Sequence, residues 1–157
     1  MRQNECTIKG VVSKGRQVGR TLGFPTANLY LQSCFPILDL GVYGVKVFWR
    51  GNQYYGAMNV GFRPTFEYGH HVSYEIHLLD FHEDLYDEEL IVDVCFYVRQ
   101  EKKFSHLNEL KGQLYNDVAY VKKQFGLIET TDLKNNFGGR VDTVEWPIPI
   151  GLDWRKR

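Results

Sequence analysis

The chain has 157 residues, and its 19 Lys and Arg residues balance its 19 Asp and Glu residues, so that the formal net charge is zero. This length predicts one domain, the 43% hydrophobic and 24% charged content excludes a disordered chain, and the charge balance argues against a polyanion or a membrane surface as the main partner. Aromatic residues are the one clear excess, at 15% of the chain, and either a core or a planar ligand can use them.

The cysteines and the start of the chain bear on the cellular compartment. Cys6, Cys34 and Cys95 are odd in number, far apart in sequence and never part of a Cys-x-x-Cys pair, which predicts reduced and mostly buried thiols. The first ten residues are polar where a signal peptide needs an apolar segment, and no apolar run reaches the roughly 20 residues that span a bilayer. We therefore expect a cytoplasmic protein with no membrane partner.

Alternating apolar and polar residues predict β-strands through the first two thirds of the chain. Arg50, Gly51 and Asn52 have the length and the glycine content of a hairpin turn, so the two strands beside them should be antiparallel neighbours. The predicted strands are Thr7–Val12, Val42–Trp49, Gln53–Val60, Val72–Leu79 and Leu90–Arg99.

The last predicted strand has one apolar and one polar face. Strict alternation predicts that the apolar face is buried and that the polar face lies toward solvent or a cleft. The apolar face comprises Leu90, Val92, Val94, Phe96 and Val98, and the opposite face carries Asp93, Tyr97 and Arg99.

After this strand, the spacing of the apolar residues changes to three and four. Leucines and valines between Leu107 and Val121 recur as in an amphipathic helix, with Ser105 as the predicted N-cap and Gly126 as the glycine that ends it. Several strands followed by one such helix suggest a small β-barrel that the helix closes or covers. The segment Leu127–Arg157 carries two tryptophans and is expected to pack on the barrel rather than to form a mobile tail.

Glycines and cations are densest between Gly10 and Leu29. Such a loop can bring backbone N–H groups and positive charge close to phosphates. However, the chain contains neither G-x-x-x-x-G-K-[ST] nor G-x-G-x-x-G, and glycines after a strand usually serve turns. Composition alone leaves a phosphate-binding loop and a plain turn as alternatives.

The order of the residues in this segment separates the two alternatives. Residues Gly19–Asn28 read G-R-T-L-G-F-P-T-A-N and closely resemble the G-R-x-L-G-F-P-T-A-N signature of riboflavin kinases, including the kinase domain of bacterial bifunctional riboflavin kinase/FAD synthetases. The resemblance extends from about Thr7 to Phe125. Further matching segments follow in family order: Gly41–Gly44, Asn59–Thr65, Glu75–Phe81, Leu85–Tyr86 and Arg99–Phe104.

The resemblance implies a mainly β fold, a six-stranded antiparallel Greek-key β-barrel with a C-terminal α-helix. Residues 1–126 would form the kinase domain and residues 127–157 a C-terminal extension packed on the barrel. The implied reaction transfers the γ-phosphoryl group of ATP to the terminal ribityl hydroxyl of riboflavin and yields FMN and ADP, with Mg²⁺, or alternatively Zn²⁺ or Mn²⁺, as the metal. An N-terminal FAD synthetase domain would precede this domain if the chain belongs to a longer parent; a complete monofunctional kinase is the other reading.

Three residues carry the chemistry that the resemblance implies. Thr26 and Asn28 would hold the metal, because their hydroxyl and amide oxygens are hard, neutral donors that suit Mg²⁺. Glu75, on one strand face with His77 and Leu79, would be the general base that accepts the ribityl proton. Without the resemblance, Thr26 and Asn28 are typical turn residues, and a single Glu on a strand is usually exposed.

The other implied contacts divide between the two substrates. Phe104 offers an aromatic face to the flavin, and Arg20 can neutralise charge on the leaving phosphate. The five histidines lack a metal-binding spacing, so surface or packing roles are expected for them. The ATP-binding residues would be Gly15, Arg20, Leu78 and Tyr86, and the flavin-binding residues Arg99, Lys102 and Phe104.

Two other functions compete with the kinase. A flavin- or nucleotide-sensing module could keep the barrel without turnover, but Thr26, Asn28 and Glu75 are all retained, which argues against it. A β-barrel that binds nucleic acid fits poorly with zero net charge and with strands that lack interleaved basic and aromatic residues.

Overall fold

The computed structural model describes residues 6–14, 18–32, 38–65 and 69–128. The residues of the predicted extension beyond 128 lie outside this range, so their packing on the barrel stays a prediction. Within the described residues, the strands are β1 (Cys6–Ser13), β2 (Ala27–Leu31), β3 (Gly41–Trp49), β4 (Asn52–Thr65), β5 (Gly69–Leu78) and β6 (Glu89–Arg99), and the helices are α1 (Val18–Thr21) and α2 (Leu107–Gln124).

The six strands form a closed antiparallel barrel in the order β1-β2-β5-β4-β3-β6, with β6 paired to β1. Strands β3, β4 and β5 follow one another as neighbours, and β6 returns to lie beside β3, which is the Greek-key order. The barrel with one C-terminal helix confirms the expected fold class. Strand β2 was not among the strands predicted from alternation, because it is short and its first three residues are all buried.

Two apolar clusters among the described residues hold the fold together. The first fills the barrel interior, where Val45, Met58, Ile76 and Val92 are fully buried. The second lies between the outer wall of the barrel and α2 and is built on Val42, Leu79, Val98 and Val121, with Tyr55, Phe96 and Phe125 packed against them. The helix therefore covers one side of a barrel that has its own core.

Strand β6 departs from the predicted alternation. Its register with β3 shifts twice, between Gly44 and Val45 and between Val42 and Tyr43. Leu90, Val92 and Val94 lie inside the barrel as predicted, but Tyr97 also packs inside, whereas Phe96 and Val98 lie under α2. The predicted faces are therefore wrong from Phe96 to Val98, because each irregularity inserts an extra residue and reverses the side-chain direction.

The ends of α2 agree with the sequence at one terminus only. The N-cap is His106, which has an extended backbone and no capping side-chain hydrogen bond, so the prediction of Ser105 is wrong by one residue. At the other end Gly126 has φ +69°, its N–H donates to the Lys123 carbonyl at 3.0 Å, and the Leu127 N–H donates to the Lys122 carbonyl at 2.9 Å. This Schellman motif confirms Gly126 as the terminating glycine.

Two further observations concern the cysteines and the helices. Cys6 and Cys95 are half-buried thiols. No helix among the described residues is long and apolar enough to span a bilayer.

The loop between β5 and β6 is anchored through Glu88 to the β3–β4 turn. Its carboxylate accepts hydrogen bonds from the Trp49 Nε1–H at 2.8 Å and from Arg50 Nη2 at 2.7 Å, and its carbonyl accepts one from the Val12 N–H at 2.9 Å. The hydrogen bond from Trp49, followed by that from Arg50, lowers the pKa of the Glu88 carboxyl. This anchor holds the loop that forms one wall of the site described below.

The lowered pKa of Glu88 predicts a contribution to acid sensitivity. Stability from a lowered carboxyl pKa is present above the unfolded value of 4.5 and is lost as the pH falls through the folded value. Glu88→Gln should therefore lower stability at pH 7 and reduce the difference between pH 7 and pH 3.5, as measured by urea unfolding. An unchanged pH dependence in the variant would contradict the role of this carboxylate.

Substitution of two glycines by alanine should change the stability of the fold in opposite directions. Gly41 has φ +154°, and an added Cβ would collide with the Arg99 carbonyl oxygen, whereas Gly112 lies within α2 with no atom within 4 Å of an added Cβ. We expect Gly41→Ala to lower the free energy of unfolding by about 2 kcal/mol or more. Gly112→Ala should raise it by about 0.5–1 kcal/mol. Urea unfolding measures both, and equal stability of the two variants would refute the steric argument.

Candidate functional site

A row of side chains crosses five strands on the barrel surface beneath α2. Directly opposite residues on antiparallel strands share a face and lie about 4.5–5.5 Å apart. Ala27 and Leu29 point into the barrel core, so the residue between them points outward. From β2 through β5, β4 and β3 to β6, the register aligns Asn28, Glu75, Asn59, Val42 and Arg99.

A cavity of about 210 Å³ lies over this row, between the barrel and α2, and is called the helix cavity. Barrel residues such as Val42 and Asn59 form its floor, and Leu110, Leu114 and Val118 of α2 form its roof. Apolar walls with a few polar groups are typical of a small-molecule site. Five of the predicted site residues line it: Thr26, Glu75, Arg99, Lys102 and Phe104.

A second cavity, of about 410 Å³, lies on the other side of Thr26 and is called the loop cavity. Residues 81–86 of the β5–β6 loop form one wall, and Val12, Pro25 and Ala27 contribute to the rest. Four predicted site residues line it: Arg20, Thr26, Leu78 and Tyr86. Because Thr26 belongs to both linings, the two cavities adjoin at this residue.

Three predicted or neighbouring residues need separate mention. Gly15 lies outside the described residues, so its place stays a prediction. Asn28 is in neither lining, but it is buried and lies opposite Glu75. Lys14 is exposed and has its Nζ 5.7 Å from the centre of the Tyr86 ring.

Arg99 makes a buried ion pair with a residue that the sequence interpretation did not single out. Its Nε and Nη2 each donate to one carboxylate oxygen of Asp117 at 2.8 Å, and Nη1 donates to the Gln100 carbonyl at 2.9 Å. The side chains are only 12% and 5% exposed. Gln113 donates a further bond to Asp117 at 3.0 Å. This network joins β6 to α2 at the helix cavity.

The sequence contained a signal for Asp117. It follows Leu114 by three residues and precedes Val121 by four, so it occupies the apolar face of the predicted helix. A carboxylate on a buried face needs a partner, and Arg99 is that partner.

Two cations lie close to the Phe104 ring. The Lys102 Nζ is 5.4 Å and the Arg99 guanidinium carbon 5.9 Å from its ring centre. Both distances are within the range of cation–π attraction. The three predicted flavin-binding residues thus form one cluster at the edge of the helix cavity.

His77 also lines the helix cavity, where surface or packing roles had been expected for the histidines. Its Nδ1 lies 2.9 Å from the Pro25 carbonyl oxygen, and its ring makes an edge contact with Phe24 at 5.4 Å between centres. Burial lowers the pKa of His77 and nearby Lys122 adds to this, whereas the bond to Pro25 and the charge of Asp80 oppose it. Its position on the Glu75 face of β5 was the available signal.

The donors around Thr26 suit a hard divalent cation that is completed by its substrate. Among the described residues, no group of three or more His, Cys, Asp or Glu side chains could hold a metal ion alone. The threonine hydroxyl and the asparagine amide are neutral oxygen donors, and Mg²⁺ usually keeps water and phosphate oxygens in its other positions. The residues present therefore fit a metal that arrives with phosphates.

Comparison with known families shows which family the chain belongs to. A family model described as "Flavokinase: Riboflavin kinase" matches residues 2–125. The chain belongs to the riboflavin kinase family. The expected family relationship is confirmed, and the site lies entirely within the matched residues.

Relatives of known name agree with this membership. The RNA-binding riboflavin kinase RibR of Bacillus subtilis (strain 168) is 40% identical over 121 residues, which cover 77% of this chain and 52% of that protein. The bifunctional riboflavin kinase/FMN adenylyltransferase of Buchnera aphidicola subsp. Schizaphis graminum (strain Sg) is 40% identical over 124 residues, which cover 78% of this chain and 39% of that protein. The match thus spans about half or less of each relative.

A solved structure supports the fold. The crystal structure of riboflavin kinase from Trypanosoma brucei matches with a TM-score of 0.56, covering 85% of this chain and 87% of that chain at 22% sequence identity. This similarity shows the same fold, a barrel with a C-terminal helix.

Two ion pairs of α2 should respond differently to the loss of a carboxylate. Asp117→Asn leaves the buried Arg99 charge unpaired, and we expect it to cost about 3–5 kcal/mol of stability. The matched control is Asp80→Asn, because Asp80 is 79% exposed in its pair with Lys122 and should contribute about 0–1 kcal/mol. Urea unfolding tests this, and similar losses in both variants would contradict it.

Proposed function

We propose that the chain is a riboflavin kinase that transfers the γ-phosphoryl group of ATP to the terminal ribityl hydroxyl of riboflavin and releases FMN and ADP. The observation that carries the proposal is the division of the predicted residues between two adjoining cavities. Every described residue that was predicted for ATP lines the loop cavity, and every residue predicted for the flavin lines the helix cavity. Thr26 lines both, at the point where a phosphoryl group would cross.

ATP would occupy the loop cavity. Leu78 and Tyr86 offer apolar and aromatic surface to the base, while Arg20 supplies positive charge for the phosphates. Gly15 keeps its predicted role beside the phosphates as part of this proposal. A divalent cation, Mg²⁺ or alternatively Zn²⁺ or Mn²⁺, would be held by the side-chain oxygens of Thr26 and Asn28 and, when bound, would supply charge that stabilises the phosphate oxygens.

Riboflavin would occupy the helix cavity with its ring system against Phe104. Arg99 already donates three hydrogen bonds to Asp117 and Gln100, so we infer that it contributes its planar surface and fixes the wall rather than pairing with a free anion. Lys102 closes the same edge of the cavity. The ribityl chain would then run along the cross-strand row toward Glu75.

Glu75 would act as the general base. It lines the helix cavity, and the register places it directly opposite Asn28 on one side and Asn59 on the other. A carboxylate beside the metal ligands can accept the hydroxyl proton as the oxygen attacks the γ-phosphorus. Positioned base catalysis is worth about 10²–10⁴-fold in rate.

The remaining expectations stay part of the proposal. Zero net charge supports the absence of a nucleic-acid partner, although RNA binding appears in the name of the Bacillus relative. The cytoplasmic location and the packing of residues 127–157 on the barrel are likewise predictions, as is an FAD synthetase domain in a longer parent chain.

The decisive test is FMN formation by the purified protein with riboflavin, ATP and Mg²⁺, followed by chromatography. Glu75→Gln should lower kcat by about 10²–10⁴-fold and leave riboflavin affinity, measured by flavin fluorescence, close to that of the wild type. Glu109→Gln, on the exposed first turn of α2, is the matched control and should retain wild-type turnover.

Two outcomes would contradict the proposal in different ways. Wild-type turnover in Glu75→Gln would remove this residue from its role as base. Binding of riboflavin without FMN formation under Mg²⁺, Zn²⁺ or Mn²⁺ would instead favour the non-catalytic sensing module.

A further inference from the structure

One hydrogen bond links the strand of the proposed base to the segment of the proposed metal ligands. His77 follows Glu75 by two residues on β5, so the two side chains share a face, and both line the helix cavity. The His77 Nδ1 lies 2.9 Å from the Pro25 carbonyl oxygen. Pro25 immediately precedes Thr26 and itself lines the loop cavity. The bond therefore reaches the point where the two cavities adjoin.

The geometry of the peptide bond transmits this contact to Thr26. The Pro25 carbonyl and the Thr26 nitrogen and Cα belong to one planar peptide unit. An interaction that fixes the carbonyl therefore also fixes the positions of these two Thr26 atoms. Proline adds a second restraint, since its ring fixes φ near −65°. Little freedom is left before Thr26 once the carbonyl is held.

The bond also determines the protonation of the imidazole. A carbonyl oxygen only accepts, so Nδ1 must carry the proton and donate it. Burial favours the neutral ring. In a neutral ring with the proton on Nδ1, Nε2 is unprotonated, and this tautomer is the signature of the contact.

A second contact fixes the plane of the ring. Phe24 is buried and meets His77 edge-on at 5.4 Å, with 66° between the ring planes. Phe24 also meets Tyr115 of α2 at 4.8 Å and 82°. The imidazole is thus oriented by a chain of rings that leads to the helix.

We propose that His77 is a positioning residue for phosphoryl transfer, which holds the Pro25 carbonyl and thereby aims the Thr26 hydroxyl into the junction of the two cavities. The inference rests on the proposed kinase function. His77 acts through the Pro25–Thr26 peptide and takes no part in the proton transfer assigned to Glu75.

The first test needs no activity. Nitrogen-15 NMR of the imidazole at neutral pH should show His77 with a protonated Nδ1 and an unprotonated Nε2. The opposite tautomer would overturn the proposal, because an unprotonated Nδ1 cannot donate to the carbonyl.

The second test compares substitutions that differ in the position of the donor. Asn places an N–H group where the His Nδ1 lies, Gln places it one bond farther out, and Leu has none. His77→Leu and His77→Gln should lower kcat for FMN formation by about 10- to 100-fold with little change in riboflavin affinity, and His77→Asn should recover most of the loss. Equal losses in folded His77→Asn and His77→Gln would overturn the proposal, and this comparison stands even if His77→Leu does not fold.

A double-mutant cycle identifies the residue through which His77 acts. If His77 aims the Thr26 hydroxyl, then His77→Gln should lower kcat by at most about twofold further in a protein from which Thr26→Ala has already removed that hydroxyl. Multiplicative losses in the double variant would show that the two residues act independently and would overturn the proposal.

The kinase function and the role of His77 can fail separately. If the wild type forms no FMN, the proposed function fails, and calorimetric binding of Mg²⁺–ADP replaces turnover as the readout. An affinity for Mg²⁺–ADP that falls in His77→Gln and returns in His77→Asn supports the positioning role. The role is overturned if His77→Gln binds Mg²⁺–ADP as tightly as the wild type, or if the wild type does not bind it.

Discussion

The candidate site depends on the antiparallel register of the barrel. Side-chain direction in a strand has a period of two, so a slip of one residue would send a side chain from the outer wall into the core. The pairings of β5 with β2 and with β4 place Glu75 in line with Asn28 and Asn59. Closure of the barrel leaves no free sheet edge at which this register could shift. Ile76 occupies the barrel interior, so its neighbour Glu75 must lie on the outer wall. The core residues of the strands therefore determine which side chains reach the site.

The irregularities of β6 and the buried ion pair together attach α2 to this wall. The two register shifts move Phe96 and Val98 to the outer face, where they pack beneath the helix. Their effects on side-chain direction cancel before Arg99 is reached, so Arg99 lies on the outer face as alternation predicts. Gly44 lacks a side chain where the Phe96 ring lies. Arg99 then meets Asp117 from the helix. Because a buried ion pair gains little net stability over apolar packing, we infer that its main effect is to fix the geometry of the roof over the helix cavity.

The sequence could predict the features that depend on local period and order. Five strands, the helix and its terminating Gly126 follow from hydrophobic spacing, and the family follows from the order of residues around Pro25. Single-strand alternation could not reveal the shifts in β6, because they are defined by the partner strand, β3. Likewise, the partner of Asp117 lies 18 residues away, and that of His77 lies 52 residues away, so each pairing appears only in the folded chain.

The proposed phosphoryl transfer would explain why such pairings matter. A protein contributes little covalent chemistry to such a reaction, and catalysis depends on placing the two substrates and the charge between them. A small displacement at the junction of the cavities would separate the donor from the acceptor. The polar contacts of Arg99 and His77 are made to a carboxylate on α2 and to the carbonyl before Thr26, which are parts of the two cavity walls. We infer that these contacts serve the alignment of the cavities, and that the helix, the β2 entry and the barrel wall act as one unit in holding it.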